Sequence, residues 1–427
     1  MKKLTACLFF IAGITYAATV AAQQELRTYL DQADFFRLKA SLARHEATLQ
    51  PDIRLYFAAF ADNAFNQNER SIRRVDSFMR IKKNDWYQNE IAQLLEMQQD
   101  NFSKTSRYKA AAQMSDLLLQ QYSNALPADE LDDIRNTGKI WVALAGVDPQ
   151  QADVHTDIHI QMKRDKANLR NVPVATRSGS DDFIFDTGAN ISTITSSCAD
   201  KLGLRRMHTS VEVKGFQGLS VQSDVGVADS LNIGGFVIRN VVFMIMPDEA
   251  LSFPQIDFHI HGIIGYPVFR AMREVRISKN DVLTIPAQPS PLPADMKENL
   301  ALHGLFPMVQ MATDHDGLMN FHFDTGAKTT DLFDNYYNLH RRWITRKGDY
   351  KTTEFGSAGG TRKMAAYVIS DFNFYIGNTK ATLPRITIMT RPIKNRHELV
   401  YGNIGQDLMD LFDEMSINFE YMYVVFK

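Results

Sequence analysis

The chain has 427 residues, enough for two or three domains, and its 45% apolar content with a formal net charge of −2 describes ordinary globular material. The near-neutral balance argues against nucleic acid as a main partner. With only Cys7 and Cys198 present, the first of them inside a leader-like segment, a disulfide scaffold is excluded and stability must come from packed cores.

In chain order, Lys2 and Lys3 precede an apolar stretch from Leu4 through Val20 and a small-residue site at Val20-Ala21-Ala22. These are the parts of a secretory signal, so residues 1–22 are expected to be cleaved after Ala22 and to send the protein to the periplasm, the medium or the cell surface. The stretch is short for a membrane span, and no stable span is expected after cleavage; a retained anchor is the alternative. Residues 23–148 are expected to form a helical domain. Leu55, Ala58, Ala59 and 62–65 fit one helix after Pro51-Asp52, and Ile72, Val75, Phe78 and Met79 fit the next. Further helices are expected over Trp86–Met97 and Ser106–Tyr122. The paired helices are weakly similar to tetratricopeptide repeats, best over Tyr56–Phe78; a plain bundle fits as well. Such a domain offers a surface for a protein partner.

Past 146 the pattern turns to strands, as in Val154–Ile160 and Val172-Pro173-Val174. His155 and His159, like His259 and His261, fit the polar face of a strand, and no metal site is read from them. Cys198 is read as a buried small hydrophobe. Then a short stretch occurs twice, as 183–189 (Phe-Ile-Phe-Asp-Thr-Gly-Ala) and 321–327 (Phe-His-Phe-Asp-Thr-Gly-Ala). Each is an apolar strand that delivers a carboxylate, Asp186 or Asp324, onto a tight Thr-Gly turn. A single copy would describe only a strand end, but the parts that follow also recur in order. Gly215, Phe216, Gln217 and Gly218 make a hairpin candidate matched later by Phe355, Gly356 and Ser357. The run 231–234 is echoed by 374–377, and an apolar run follows each. Ile263-Ile264-Gly265 is echoed by Asn403-Ile404-Gly405, so that Gly265 follows Asp186 by 79 residues and Gly405 follows Asp324 by 81. The halves, 149–285 and 294–427, are joined by the proline-rich linker 286–293, a stiff connector. Arg341-Arg342 and Arg346-Lys347 are read as solvated loops.

This order of parts resembles the pepsin-like and retropepsin-like aspartic proteases over about 160–427. The expected architecture is therefore multidomain α and β, an N-terminal all-α helical-repeat or bundle domain followed by a bilobal, mainly antiparallel β aspartic-protease fold. The resemblance implies that Asp186 and Asp324 are the catalytic pair, that Thr187, Gly188, Thr325 and Gly326 support it, and that the two hairpins are substrate flaps. It also implies a polypeptide substrate cleaved by activated water, with no metal and no cofactor. Two departures stand out: Asn403 occupies a usually aliphatic place, a matter of packing, and neither flap candidate has the tyrosine typical of pepsin. Ala189 and Ala327 stand where two-lobed relatives carry Ser or Thr, and the missing hydroxyls should raise both apparent pKa values of the pair above those of pepsin. The alternative function is a non-catalytic peptide- or protein-binding scaffold on the same fold, with the helical domain as its partner surface; the helical segment could also be an inhibitory prosegment.

Overall fold

The computed structural model describes residues 20–214, 220–254, 257–357, 360–392 and 400–427. A helical region over 20–144 precedes a β-rich region with barrel-like sheets. The helices are α1 (20–31), α2 (Phe35–His45), α3 (Pro51–Ala64), α4 (Asn68–Ile81), α5 (Gln88–Lys104), α6 (Tyr108–Gln121) and α7 (Ala128–Leu144). Pro51 opens α3, where its preset φ suits the first turn and its missing N–H costs no helical bond. Small and aromatic residues bury α3 on nearly every side, among them Tyr56, Phe57, Ala59 and Ala64. Trp86, expected inside a helix, lies just before α5; its ring packs 4.7 Å from that of Tyr56 and its N–H donates to Asp52 at 3.1 Å. The expected cleavage point falls at the start of α1, where Ala22 is buried, while 1–19 lie outside the described residues.

Two corrections to the sequence reading have physical causes. The strand expected over 154–160 is reduced to Ile158–Gln161, because the Asp157 carboxylate accepts the Ala287 N–H at 2.9 Å and ties the preceding chain to the connector. The charged segment read as loops lies in the helix Asp334–Lys347. That helix buries only Tyr336 and Ile344 and leaves its arginines in solvent, so its apolar period is too sparse to read.

The two halves of the β region repeat one plan. In the first, Ile184 and Phe185 pair in parallel with Ile263 and Ile264, inside a sheet whose other pairings are mostly antiparallel. In the second, His322 and Phe323 pair in parallel with Asn403 and Ile404. Each Gly step therefore runs directly beside the strand that carries an aspartate. The long strands turn at Gly234 and Gly377, whose φ values of +55° and +56° suit glycine. A third sheet is shared: Ile158–Gln161, Val282–Ile285 and Glu274–Ser278 from the first half continue into Glu414–Asn418 and Tyr423–Phe426 from the second. The proline-bearing connector has no regular element, and Ser290 fastens it to this sheet, accepting from Asn418 at 3.0 Å and Tyr423 at 3.2 Å.

The helices are not a separate ball. Tyr108, Ala111, Trp141 and Leu144 of α6 and α7 share a core with Val211, Val225, Val227 and Met244 of the first half. Asn136 on α7 also mimics a strand neighbour, accepting the Glu212 N–H at 2.9 Å and donating to the Glu212 carbonyl at 2.6 Å.

Candidate active site

Both Asp-Thr-Gly turns begin where a strand ends against its Gly step. The Asp186 N–H donates to the Ile264 carbonyl at 3.1 Å, and the Asp324 N–H to the Ile404 carbonyl at 3.0 Å. Each turn then closes on its own carboxylate, with the Gly188 N–H donating to Asp186 Oδ1 at 2.7 Å and the Gly326 N–H to Asp324 Oδ1 at 2.9 Å. The glycines are required by space. A Cβ on Gly326 would sit 2.2 Å from Asp186 Cγ, and one on Gly188 would sit 2.6 Å from Asp324 Cγ.

The threonines lock the turns to each other. Thr187 Oγ1 donates to the Phe323 carbonyl and Thr325 Oγ1 to the Phe185 carbonyl, each at 2.7 Å. In return Thr187 Oγ1 accepts the Thr325 N–H, and Thr325 Oγ1 the Thr187 N–H, each at 3.0 Å. All four bonds are buried, so water does not compete for them. Behind the turns, Ser192 Oγ accepts the Gly265 N–H and Thr330 Oγ1 the Gly405 N–H, each at 3.0 Å. These two residues were not singled out from sequence, although each lies six places after its aspartate and the repeat could have revealed them.

The carboxyl groups of Asp186 and Asp324 are hydrogen-bonded to one another, and both residues are half-buried. Burial first, then the charge of Asp324 and the shared hydrogen bond, push Asp186 well above the usual carboxylate range. Two carboxyls held this close titrate as a pair and not as independent groups. The surroundings differ in one respect. Asn403 Nδ2 donates to Asp324 Oδ2 at 3.0 Å, so the residue read as a packing variation touches the pair. A side-chain donor thus stands beside Asp324 although Ala327 supplies none.

The halves are also clamped beside the site. Arg164 donates to Asp281 at 2.8 Å and to Asp410 of the second half at 3.0 Å, and Arg170 bridges the same two carboxylates. Gln406 Nε2 reaches the Thr325 carbonyl at 2.7 Å.

Of the hairpin residues, Gly215, Phe216, Gln217 and Gly218 lie outside the described residues, though the arms Val211–Lys214 and 220–223 pair around them. Phe355, Gly356 and Ser357 end the long strand Asp349–Ser357, paired with 360–362. The histidines have local partners: His159 meets Thr284 at 2.9 Å, His259 meets Ser252 at 3.0 Å and His261 meets Asp181 at 3.0 Å. Cys198 is buried, and burial pushes its thiol up to about 12.

No curated protein matches the chain. Residues 167–268, which carry the first Asp-Thr-Gly turn and the first Gly step, match the family model described as Aspartyl protease.

Proposed function

We propose that the protein is an exported aspartic endopeptidase whose single site is built from Asp186 and Asp324, one from each half of the chain. The observation that carries the reading is the crossed pair of Asp-Thr-Gly turns, in which four threonine bonds bring two carboxyls together. Such a pair divides acid and base work. The ionised member takes a proton from a water molecule, whose oxygen bonds to the peptide carbonyl carbon, while the protonated member gives its proton to the carbonyl oxygen. Collapse of that intermediate breaks the C–N bond: the proton taken from water passes to the departing nitrogen, and one hydroxyl of the gem-diol returns its proton to the pair as the carboxyl product forms. The substrate is an extended polypeptide, paired through its backbone with the two hairpins. Export rests on Lys2, Lys3 and the apolar stretch after them.

The test is hydrolysis of a mixed peptide library by the purified protein beside Asp186→Asn and Asp324→Asn. Each variant is expected to lose at least about a thousandfold in kcat/KM, as removal of half an acid–base pair requires, while melting cooperatively. Substantial activity in either variant would sink the assignment.

A further inference from the structure

Each aspartate accepts the N–H of its own turn's glycine, Gly188 to Asp186 and Gly326 to Asp324, and the Gly326 N–H also faces Asp186; beyond these backbone donors the two halves differ at one register position. Asn403 pairs with His322 as Ile263 pairs with Ile184, so Asn403 and Ile263 are counterparts. Ile184 and Ile263 belong to an apolar cluster with Phe258, which offers Asp186 no donor. Asn403 instead donates to Asp324 Oδ2 at 3.0 Å. The substitution is not a packing choice, because the amide brings in a buried Oδ1 without a hydrogen-bond partner that an aliphatic side chain would avoid.

We propose that Asn403 is a positioning residue that fixes the division of labour in the dyad, holding Asp324 as the carboxylate that deprotonates water and leaving the shared proton on Asp186 as the acid. The proposal rests on the peptidase reading above. A hydrogen bond donated to a carboxylate favours its charged form, and the dyad then loses its first proton from the side that has the donor. The other groups near Asp324 are set by separate contacts. Asp186 lies opposite, and His322 on the same strand packs tilted against Phe306, ring centres 4.3 Å apart, and edge-on to Phe333 at 6.1 Å. Asp407 behind the turn accepts from Thr330 at 2.6 Å, Asp331 accepts from Thr329 at 3.3 Å, and Arg164 and Arg170 are held by Asp281 and Asp410.

The experiment replaces the amide with the apolar shape of its counterpart, Asn403→Leu, and follows kcat/KM against pH. Loss of one charge-assisted hydrogen bond should move the ascending limb toward neutral by about one to two pH units. The fall should be mainly in kcat, with KM little changed. Adding Ala327→Ser to Asn403→Leu returns a donor from the turn itself and should slide the limb back toward acid. An unmoved limb in a folded, active Asn403→Leu protein overturns the proposal, and so does a shifted limb that Ala327→Ser leaves in place. If the wild-type protein cuts no peptide, the peptidase reading fails on its own and unfolding decides this one. Asn403→Leu should then destabilise the wild-type chain more at about pH 7 than at about pH 3, and equally at both in an Asp324→Asn background. Equal destabilisation at both pH values in the wild-type background also overturns it.

Discussion

Thr325→Val removes one hydroxyl from the centre of the molecule and changes almost nothing in shape. Thr325 is 1% exposed, so solvent cannot replace what is lost. The change deletes the bond to the Phe185 carbonyl at 2.7 Å and the acceptor for the Thr187 N–H at 3.0 Å, leaving two buried backbone groups unpaired. At about 1–3 kcal/mol for each orphaned group, the variant should lose roughly 2–6 kcal/mol of stability, a large share of the ~5–15 kcal/mol typical of a domain. Urea unfolding at constant m-value measures this. The loss should also release the Asp186 turn, because Phe185 immediately precedes it, and a displacement of about 1 Å would lower kcat by roughly a hundredfold. Thr187→Val should match it closely, since the bonds are reciprocal at equal lengths. A Thr325→Val protein within about 0.5 kcal/mol of wild type, the range of a neutral surface change, would refute the idea that these bonds hold the halves together.

Two further outcomes can be checked. Burial, and then the charge of Asp407, raise Asp331 from 3.8 to about 7. A carboxyl raised in the folded state contributes stability that is intact below about pH 4 and lost as pH rises through about 7. Asp331→Asn should therefore melt like wild type near pH 3.5 and increasingly above it from about pH 4 to 7; a constant offset would assign the effect to packing. Trp141→Ala should cost about 3–5 kcal/mol, because the residue is 8% exposed and packs in the core shared with Val225 and Val227. Hydrogen exchange should quicken at 211–214 and 220–223 more than at Leu300–His303, and unchanged protection there would show that the helices do not brace the first hairpin.

The sequence by itself determined the change from helix to strand near 146 and the doubled Asp-Thr-Gly turns with their Gly steps. These are local features, set by the period of apolar residues and by turns that only glycine can make. Helix α7 is not legible in the sequence because its buried face, with Ile134, Gly138, Ile140, Trp141 and Leu144, includes a glycine on which a Cβ would come within 3.2 Å of Ser115 Cβ, and not a regular apolar row. The helix Asp334–Lys347 escaped because it buries so little. Only the tertiary structure decided that the helical region and the first half share one core, since nothing local marks Val225 as a neighbour of Trp141. It also decided the place of Asn403, which in sequence is an odd residue in an apolar step and in space lies 3.0 Å from a carboxylate 79 residues away. Hydrogen bonds between strands far apart in the chain depend on register, and register is fixed by strand pairings that no local stretch specifies.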